Sequence, residues 1–397
     1  MRIACVVGTR PNFVKIAPLL REMRREAALE PLLIHTGQHS DAEMSGSFFR
    51  DLEIPPPDVS LGAGEGATVS ETRAILDRME PVLLRERPDM VLVVGDVNST
   101  LAAALAATRL GIPIAHVEAG LRSFDLRMPE EMNRILTDAL SQWLFVSEPS
   151  GVDNLRKEGV PAEQIFLVGN VMIDSLREAM SKATESPIHR DLGLAERAGL
   201  SSCKPYAVLT LHRQGLVDDP NLFMRVWRAI QLLAREVAII FPVHPRTQKR
   251  IREFAAEFRA ADDTCGVGTG IRLIRPLGYL DFLQLERMAS LVLTDSGGVQ
   301  EEASALGVPC LTLRENTERP LTVTQGTNKV VGLDPARILS EARRALSEAP
   351  KGVSVLPFWD GQASRRITRI LCALAGEGEP PAAAHVPAMP DLEWVVA

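Results

Sequence analysis

Residues 3–15 read Ile-Ala-Cys-Val-Val-Gly-Thr-Arg-Pro-Asn-Phe-Val-Lys, and this stretch decides the fold class. Its apolar, partly β-branched beginning predicts a buried strand at Ile3–Gly8, and a helix is predicted to follow. A strand that is apolar throughout, rather than at alternate positions, is typical of a parallel sheet covered on both faces. The stretch therefore indicates an α/β protein.

The alternation of strand and helix continues through both halves of the 397-residue chain. Further strands are predicted at Pro31–Thr36, Met90–Gly95, Ile114–Glu118, Trp143–Ser147 and Ile165–Gly169, then at Tyr206–Leu211, Val237–Val243, Ile271–Ile274, Leu291–Thr294 and Pro309–Leu313. Helical spacing of apolar residues is found at Lys15–Arg25, Thr68–Arg87, Thr100–Leu110, Asn221–Ala234, Asp281–Ala289 and Val299–Leu306. This pattern predicts open parallel sheets with helices on both faces.

The chain is longer than one hydrophobic core usually supports, so we expect two Rossmann-like domains. The predicted divisions are residues 1–172 for the first domain and 173–358 for the second. A last helical pattern, within residues 359–375, is expected to pack back on the first domain. Residues 376–397 are rich in Pro and Ala and are expected to be disordered.

Composition excludes several classes of protein. A net charge of −7 argues against a general nucleic-acid or membrane-surface binder, which needs a basic face. Five cysteines without a CxxC pair suit reduced thiols better than a disulfide framework. No stretch reaches the roughly 18 apolar residues of a membrane span, and the N-terminal apolar run is too short for a signal peptide. We therefore expect a cytoplasmic protein.

The segment that follows the first predicted strand is suited to an anionic ligand. Gly8 permits a tight turn, the next helix offers free N–H groups, and Arg10 and Lys15 add positive charge. The GxGxxG pattern of dinucleotide-binding folds is absent, which argues against a nicotinamide or flavin cofactor. An ordinary turn followed by a helix with solvated Arg10 and Lys15 is an equally good interpretation.

A second candidate phosphate loop follows the predicted strand Leu291–Thr294. Ser296, Gly297 and Gly298 at a strand-to-helix junction allow a phosphate to approach the backbone closely. Glu302, about one turn into the helix, has the spacing to reach the ribose hydroxyls of a nucleotide, although Glu301 competes for that role. The structural alternative is helix capping by Asp295 or Ser296.

Several ionisable residues follow other predicted strands. Carboxyl ends of parallel strands share one edge of a sheet, so we expect these side chains to converge on one crevice. Any one of them alone has an ordinary structural explanation, such as a helix cap or a core histidine. The residues are Asp96, Glu118 with His116 before it, Glu130 and Glu131 after Pro129, His212 and Arg213, and His244.

The motifs of this sequence resemble those of the non-hydrolysing UDP-N-acetylglucosamine 2-epimerases. They are collinear with the family pattern from residue 1 to about residue 372. The matching segments are Gly8–Pro11, Thr36–His39, Gly95–Thr100, His116–Asp125, Met128–Arg134, Val168–Asn170, Pro242–Pro245, Thr294–Glu302 and Thr317–Pro320.

The resemblance implies a GT-B architecture, with the active site in the cleft between two Rossmann-like domains. It implies anti elimination of UDP to a 2-acetamidoglucal, followed by re-addition of UDP to give the C2 epimer, without NAD or metal. It further implies a homodimer whose product is used in the synthesis of cell-surface polysaccharide. The implied catalytic residues are Asp96, Glu118, Glu130 and His212. The implied substrate-binding residues are Arg10, Lys15, Arg213, His244, Ser296, Gly297, Gly298, Glu302 and Arg319.

The sequence departs from the family pattern at four positions, one of which is Leu216, where the family usually has Asn. Gly215 stands where the family usually has Glu, in His-Arg-x-Glu-Asn, and Leu321 stands where it has Glu after Arg-Pro. Asp41 replaces a second Gln of many bacterial members. The two lost carboxylates keep open a 2-epimerase of a modified UDP-sugar, such as a diacetamido uronate. Two other classes remain, a GT-B glycosyltransferase and a catalytically silent UDP-sugar-binding protein.

Overall fold

The computed structural model describes residues 1–38, 42–64, 68–194, 205–254, 269–348 and 356–376. The chain forms two compact units. Unit 1 comprises Met1–Ser175 together with the C-terminal residues from Pro357, and unit 2 comprises Leu176–Leu356. Asp41 and the tail from residue 377, two subjects of the sequence analysis, lie outside the described residues.

Unit 1 contains a seven-stranded parallel sheet in the order β3-β2-β1-β4-β5-β6-β7. Its strands are β1 (Arg2–Val7), β2 (Glu30–His35), β3 (Val59–Ser60), β4 (Met90–Val94), β5 (Ile114–Ala119), β6 (Trp143–Val146) and β7 (Ile165–Leu167). Its helices are α1 (Arg10–Met23), α2 (Ala42–Asp51), α3 (Thr68–Glu86), α4 (Asn98–Arg109), α5 (Pro129–Leu140) and α6 (Pro149–Lys157). The division between the units falls within α7 (Val171–Ala183).

Unit 2 contains a six-stranded parallel sheet in the order β10-β9-β8-β11-β12-β13. Its strands are β8 (Tyr206–Thr210), β9 (Ala238–Pro242), β10 (Ile271–Ile274), β11 (Leu291–Thr294), β12 (Cys310–Thr312) and β13 (Asn328–Val330). Its helices are α8 (Ile188–Asp191), α9 (Gln214–Val217), α10 (Pro220–Leu233), α11 (Pro245–Phe254), α12 (Tyr279–Arg287), α13 (Gly297–Leu306), α14 (Pro320–Thr324) and α15 (Pro335–Ser347).

The central strands are apolar throughout because both faces of each sheet are covered. In β8, Ala207 and Leu209 belong to the hydrophobic cluster on one face of the sheet, with Phe223 of α10. Tyr206 and Val208, which alternate with them, belong to the cluster on the opposite face. Successive side chains of a strand point to opposite faces, so a strand between two helical layers needs no polar alternate positions.

In each sheet the strand order reverses direction at one point, between β1 and β4 in unit 1 and between β8 and β11 in unit 2. Ligands of open parallel sheets bind beyond the carboxyl ends of the strands at such a switch point. Asp96 follows β4, and Asp295 follows β11. The topology of each unit therefore places candidate site residues at its switch point.

Several helices begin earlier than the sequence analysis predicts, and α1 and α13 do so at candidate ligand-binding loops. Helix α1 begins at Arg10 rather than Lys15, and α13 begins at Gly297 rather than Val299. The first-turn N–H groups of a helix need no partner within the helix, so Pro11 and the glycines are tolerated there. Because these first turns consist of polar or small residues, the periodicity of apolar residues does not reveal them.

The last described helix, α16 (Ala363–Leu374), belongs to unit 1 and packs against α1. Buried Asp174 accepts hydrogen bonds from the backbone N–H groups of Ala363 and Ser364, at 3.2 and 2.7 Å, in the first turn of α16. Arg366 donates to the carbonyl of Val168 at 3.0 Å. Among the described residues, no helix is both long and apolar enough to cross a membrane.

Candidate active site

Helix α5 in unit 1 turns a polar face inward. Its buried residues are Glu131, Asn133, Arg134, Thr137 and Asp138, whereas Met132 and Leu136 are more than 40% exposed. Buried polar groups need hydrogen-bond partners, and Glu131, Asn133 and Arg134 find them in the loops that follow β4 and β5. The polar face of α5 therefore positions both loops that carry candidate catalytic carboxylates.

Asp96, directly after the β4–Gly95 turn, is held by two residues of this face. The fully buried Arg134 forms an ion pair with the Asp96 carboxylate. Asn133 donates through Nδ2 to the Asp96 carbonyl at 2.9 Å. The ion pair with Arg134 orients the Asp96 carboxylate. Because the Asp96 side chain is 19% exposed, the carboxylate remains accessible to a ligand.

Glu118 occupies an unusual backbone position at the end of β5. Its φ is +75°, and the register between β5 and β6 shifts between Val117 and Ala119. A β-bulge of this kind re-aims a side chain and is frequent beside active sites. Lys15 Nζ lies 2.8 and 2.7 Å from the two Glu118 carboxylate oxygens, with both side chains almost completely buried.

The two glutamates that open α5 have different surroundings. Glu131 is buried and accepts hydrogen bonds from the N–H groups of Ser123 and Phe124, at 2.9 and 2.8 Å, and from Arg134 at 2.6 Å. Burial alone raises the pKa of Glu131, but these N–H groups and Arg134 hold that pKa below its ordinary value. Glu131 therefore fixes the loop, while Glu130 is half-buried in the first turn.

The loop between β1 and α1 differs from the anion-binding segment that the sequence analysis considers there. Asn12 Oδ1 accepts hydrogen bonds from the N–H groups of Gly8 and Thr9, both at 3.1 Å. Arg10 stacks over the ring of Phe48, with its guanidinium carbon 5.9 Å from the ring centroid. Lys15 is not solvated, because it is buried against Glu118.

In unit 2, His212 and Asp295 form a pair across the neighbouring strands β8 and β11. His212 Nδ1 lies 3.1 Å from Asp295 Oδ1, and the carboxylate also accepts the N–H groups of His212 and Arg213 at 2.9 and 2.8 Å. Burial raises the pKa of Asp295, but His212 and these N–H groups hold it below its ordinary value. With its Nδ1 engaged, His212 keeps its other nitrogen for a ligand, and its side chain is 46% exposed.

This pair corrects the capping alternative of the sequence analysis. Asp295 bonds across the sheet to residues 212 and 213 rather than to α13. Ser296 is the N-cap residue of α13, and within the described chain its side chain makes no cap hydrogen bond. Gly297 and Gly298 form the first turn of α13, where a helix offers N–H groups to an anion.

A buried ionic network surrounds Arg213 and Arg319 in unit 2. Arg213 lies 3.5 Å from Glu318, which also binds Arg314 at 2.7 Å. Arg319 lies 2.8 Å from Glu301, so Glu301 has an arginine partner and does not compete for the role of Glu302. These carboxylates support the arginines in the absence of the two glutamates that the family pattern has at positions 215 and 321.

The two replaced positions differ in their surroundings. Leu321 is buried. Gly215 is exposed, and a Cβ placed there would meet no atom of the described chain within 4 Å. His244, which follows β9, is half-buried.

Glu302 belongs to a buried cluster that the sequence analysis did not identify. Its neighbours are Glu286 and Tyr279 of α12, and all three side chains are at most 4% exposed. Burial raises the pKa of Glu302 to about 7, against the opposing effect of a hydrogen bond with Tyr279. Burial, and then the charge of Glu302, raise the pKa of Glu286 well above its ordinary value. Two adjacent carboxyl groups without counter-charge resist joint ionisation.

Comparison with known proteins places the chain in a family. The family model for UDP-N-acetylglucosamine 2-epimerase matches residues 21–372. UDP-N-acetylglucosamine 2-epimerase of Methanococcus maripaludis is 40% identical over 372 residues, covering 93% of this chain and 98% of the relative. UDP-2,3-diacetamido-2,3-dideoxy-D-glucuronate 2-epimerase of Pseudomonas aeruginosa is 41% identical over 377 residues, covering 94% of this chain and 100% of the relative.

A solved structure shows the same fold. The crystal structure of Methanocaldococcus jannaschii UDP-GlcNAc 2-epimerase in complex with UDP-GlcNAc and UDP matches with a TM-score of 0.86 and 40% identity. The match covers 94% of this chain and 100% of that structure's chain. It confirms the predicted fold class, two Rossmann-like domains of GT-B type, and the resemblance carried by the motifs. The chain belongs to the UDP-N-acetylglucosamine 2-epimerase family.

Proposed function

We propose that the protein catalyses the reversible C2 epimerisation of UDP-N-acetylglucosamine to UDP-N-acetylmannosamine. The observation that carries the proposal is the pairing of two carboxylates with buried cations at adjacent strand ends. Asp96 after β4 is paired with Arg134, and Glu118 at the end of β5 is paired with Lys15. Carboxylates held in place in this way suit proton transfer at a carbon next to a leaving group.

The proposed reaction passes through a 2-acetamidoglucal. A carboxylate takes the C2 proton, the C2–H electron pair forms the C1–C2 double bond, and the C1–O bond breaks with its electrons on UDP. UDP then adds back to C1 while C2 receives a proton on the opposite face. Asp96, Glu118 and Glu130 are the proposed acid–base residues, and His212, oriented by Asp295, is the proposed fourth catalytic residue.

We further propose that unit 2 holds the nucleotide. The first turn of α13, with Ser296, Gly297 and Gly298, suits a diphosphate because of its N–H groups and helix dipole. Glu302 would accept hydrogen bonds from the ribose hydroxyls. The remaining proposed contacts to the phosphates and sugar are Arg10, Lys15, Arg213, His244 and Arg319.

The test is incubation of the purified protein with UDP-N-acetylglucosamine in deuterated water. We expect the manno epimer to form with deuterium at C2, as detected by NMR and mass spectrometry. Epimer without deuterium would overturn the proton-abstraction step. Asp96→Asn and Glu118→Gln should each abolish exchange while UDP binding, measured by calorimetry, survives. Glu341→Gln, which removes a carboxylate paired with Lys329 elsewhere in unit 2, is the matched control.

A second candidate is C2 epimerisation of a more decorated UDP-sugar. It is supported by the 41% identity to the diacetamido-glucuronate 2-epimerase and by Gly215 and Leu321 in place of two glutamates. Turnover of UDP-2,3-diacetamido-2,3-dideoxy-glucuronate, without exchange or epimerisation of UDP-N-acetylglucosamine, would decide for this candidate. A GT-B glycosyltransferase would instead transfer the sugar to an acceptor and leave C2 unexchanged.

We also propose a cytoplasmic homodimer, as implied for the family. Cys5 and Cys310 are buried free thiols, which suits a reducing compartment. Light scattering after size-exclusion chromatography should give the mass of two chains, and cell fractionation should recover the activity with the cytosol. A monomer mass across the working concentration range would contradict the dimer.

A further inference from the structure

His116 is completely buried in the middle of β5 and faces a hydrogen-bond acceptor on each ring nitrogen. Nε2 lies 2.9 Å from the carbonyl oxygen of Gly95, and Nδ1 lies 2.6 Å from Asp138 Oδ1. A carbonyl oxygen only accepts hydrogen bonds, so Nε2 must carry a proton. Its sheet neighbours Val93 and Leu144 are apolar and supply no other polar group.

Asp138 faces donors on every side. Its Oδ2 accepts the N–H of Gly120 at 3.0 Å and lies 2.7 Å from the guanidinium of Arg122, which also binds Glu158. Burial raises the pKa of Asp138, but His116 and Arg122 outweigh burial and hold that pKa below its ordinary value. The carboxylate thus accepts from His116 on one oxygen, and from the N–H of Gly120 and the guanidinium of Arg122 on the other.

We propose that His116 is a positioning residue that, with Asp138, holds together the two loops carrying Asp96 and Glu118. Gly95 directly precedes Asp96, and Gly120 follows Glu118 by two residues. His116 bonds to Gly95 and Asp138 bonds to Gly120, so the His116–Asp138 pair links the two loops. The inference rests on the proposed function where it concerns catalysis, because it assumes that Asp96 and Glu118 act on the substrate.

The mechanical reason for such a bridge lies in the geometry that proton transfer requires. A displacement of about 1 Å in a catalytic group costs roughly 100-fold in rate. Gly95 and Gly120 both have positive φ, at +68° and +80°, so each loop turns sharply next to its carboxylate. The His116 ring fixes one loop through Nε2, and through Nδ1 it contacts Asp138, which fixes the other loop.

The first test measures protonation in the intact wild-type protein without reference to activity. In a sample with ¹⁵N-labelled histidine, the spectrum of His116 is identified by its loss in His116→Gln. We expect Nε2 of His116, which faces the Gly95 carbonyl, to carry an N–H that is protected from exchange with solvent. A bare Nε2 would overturn the inference.

The second test separates positioning from general stability. His116→Phe keeps a ring but loses both ring nitrogens, and it should lower kcat by roughly 100-fold while the Kd for UDP stays within about twofold. His116→Gln, which retains one amide donor, should recover part of that loss. An undiminished kcat in His116→Phe would overturn the positioning role.

Asp174→Asn provides the matched control, since it weakens a buried carboxylate site of unit 1 that holds α16 rather than the two loops. It should lower the free energy of unfolding and leave kcat unchanged. Failure of the proposed function is recognised separately, because wild-type protein would then show no C2 exchange while the NMR result for His116 still holds. If His116→Phe does not fold, the NMR experiment and His116→Gln still decide the inference.

Discussion

Lys15 Nζ lies 2.7 Å from one carboxylate oxygen of Glu118, and both side chains are at most 6% exposed. The two residues are 103 positions apart in sequence, Lys15 in α1 and Glu118 at the carboxyl end of β5. Taking both charges out of water is costly, and each charge is tolerated only because the other is present. The pair therefore holds the Glu118 side chain in one position, as the proposed proton transfer requires.

Replacement of Lys15 by Met should affect stability and activity together. The variant leaves the Glu118 charge buried without its partner, at a cost of about 3–5 kcal/mol in the free energy of unfolding. C2 exchange should fall strongly, because Glu118 then loses the partner that holds its carboxylate in place. Urea denaturation and deuterium exchange measure the two effects. Lys157→Met, at an exposed position of α6, is the control, and equal behaviour of the two variants would contradict the role of the ion pair.

Replacement of Asp295 by Asn should disturb the orientation of His212. An Asn amide group can accept fewer of the three hydrogen bonds that Asp295 receives, and it no longer favours a proton on Nδ1 of His212. We expect kcat to fall by about 100-fold or more. Steady-state kinetics with UDP-N-acetylglucosamine provide the measurement. Asp334→Asn, at the N-cap of α15, is the control, since Asn caps helices as well as Asp does.

Replacement of Glu286 by Gln should stabilise the protein at alkaline pH. The pKa of Glu286 is raised in the folded protein, so the folded state binds more protons than the unfolded state, and stability falls as pH rises above about 4.5. Because Gln removes this loss, the free energy of unfolding should rise by about 1–3 kcal/mol at about pH 8 and change little at about pH 4.5.

Urea denaturation at the two pH values measures the effect of Glu286→Gln. The comparison variant Glu341→Gln has the opposite sign, because hydrogen bonding to Lys329 lowers the pKa of Glu341 in the folded state. At about pH 8, Glu341→Gln should leave the free energy of unfolding unchanged or lower it by at most about 1 kcal/mol, because the Lys329–Glu341 pair lies at the surface. A Glu286→Gln variant that is less stable at about pH 8 would show that Glu286 is ionised and paired.

Two glycines with similar backbone angles should tolerate Ala very differently. Gly120 has φ +80°, and a Cβ there would lie 2.4 Å from the carbonyl oxygen of Gly151. Gly111 has φ +68°, and a Cβ there would meet nothing in the described chain within 4 Å. Gly111→Ala should cost only backbone strain, about 1 kcal/mol, whereas Gly120→Ala must also displace the backbone of α6. Thermal denaturation should show a clearly larger loss for Gly120→Ala.

Much of the candidate site was predictable because its residues follow strands. A buried strand leaves a plain signal in the sequence, and the first polar residue after it lies at the ligand-binding edge of the sheet. Asp96, Glu118 and His212 were found in this way. Glu131, Arg134 and Asp138 were not singled out as partners of these residues, because polar positions on a helix normally face water and α5 reverses this rule.

The sequence by itself determined the two α/β units and the strand ends that carry the carboxylates, because strand and helix patterns depend on neighbours within about 20 residues. Only the tertiary structure decided the partner of each charge. Lys15 with Glu118, Arg134 with Asp96 and His212 with Asp295 are separated by 103, 38 and 83 residues respectively. Such pairings arise when parallel strands bring distant loops to one edge of a sheet, and local periodicity carries no record of that encounter.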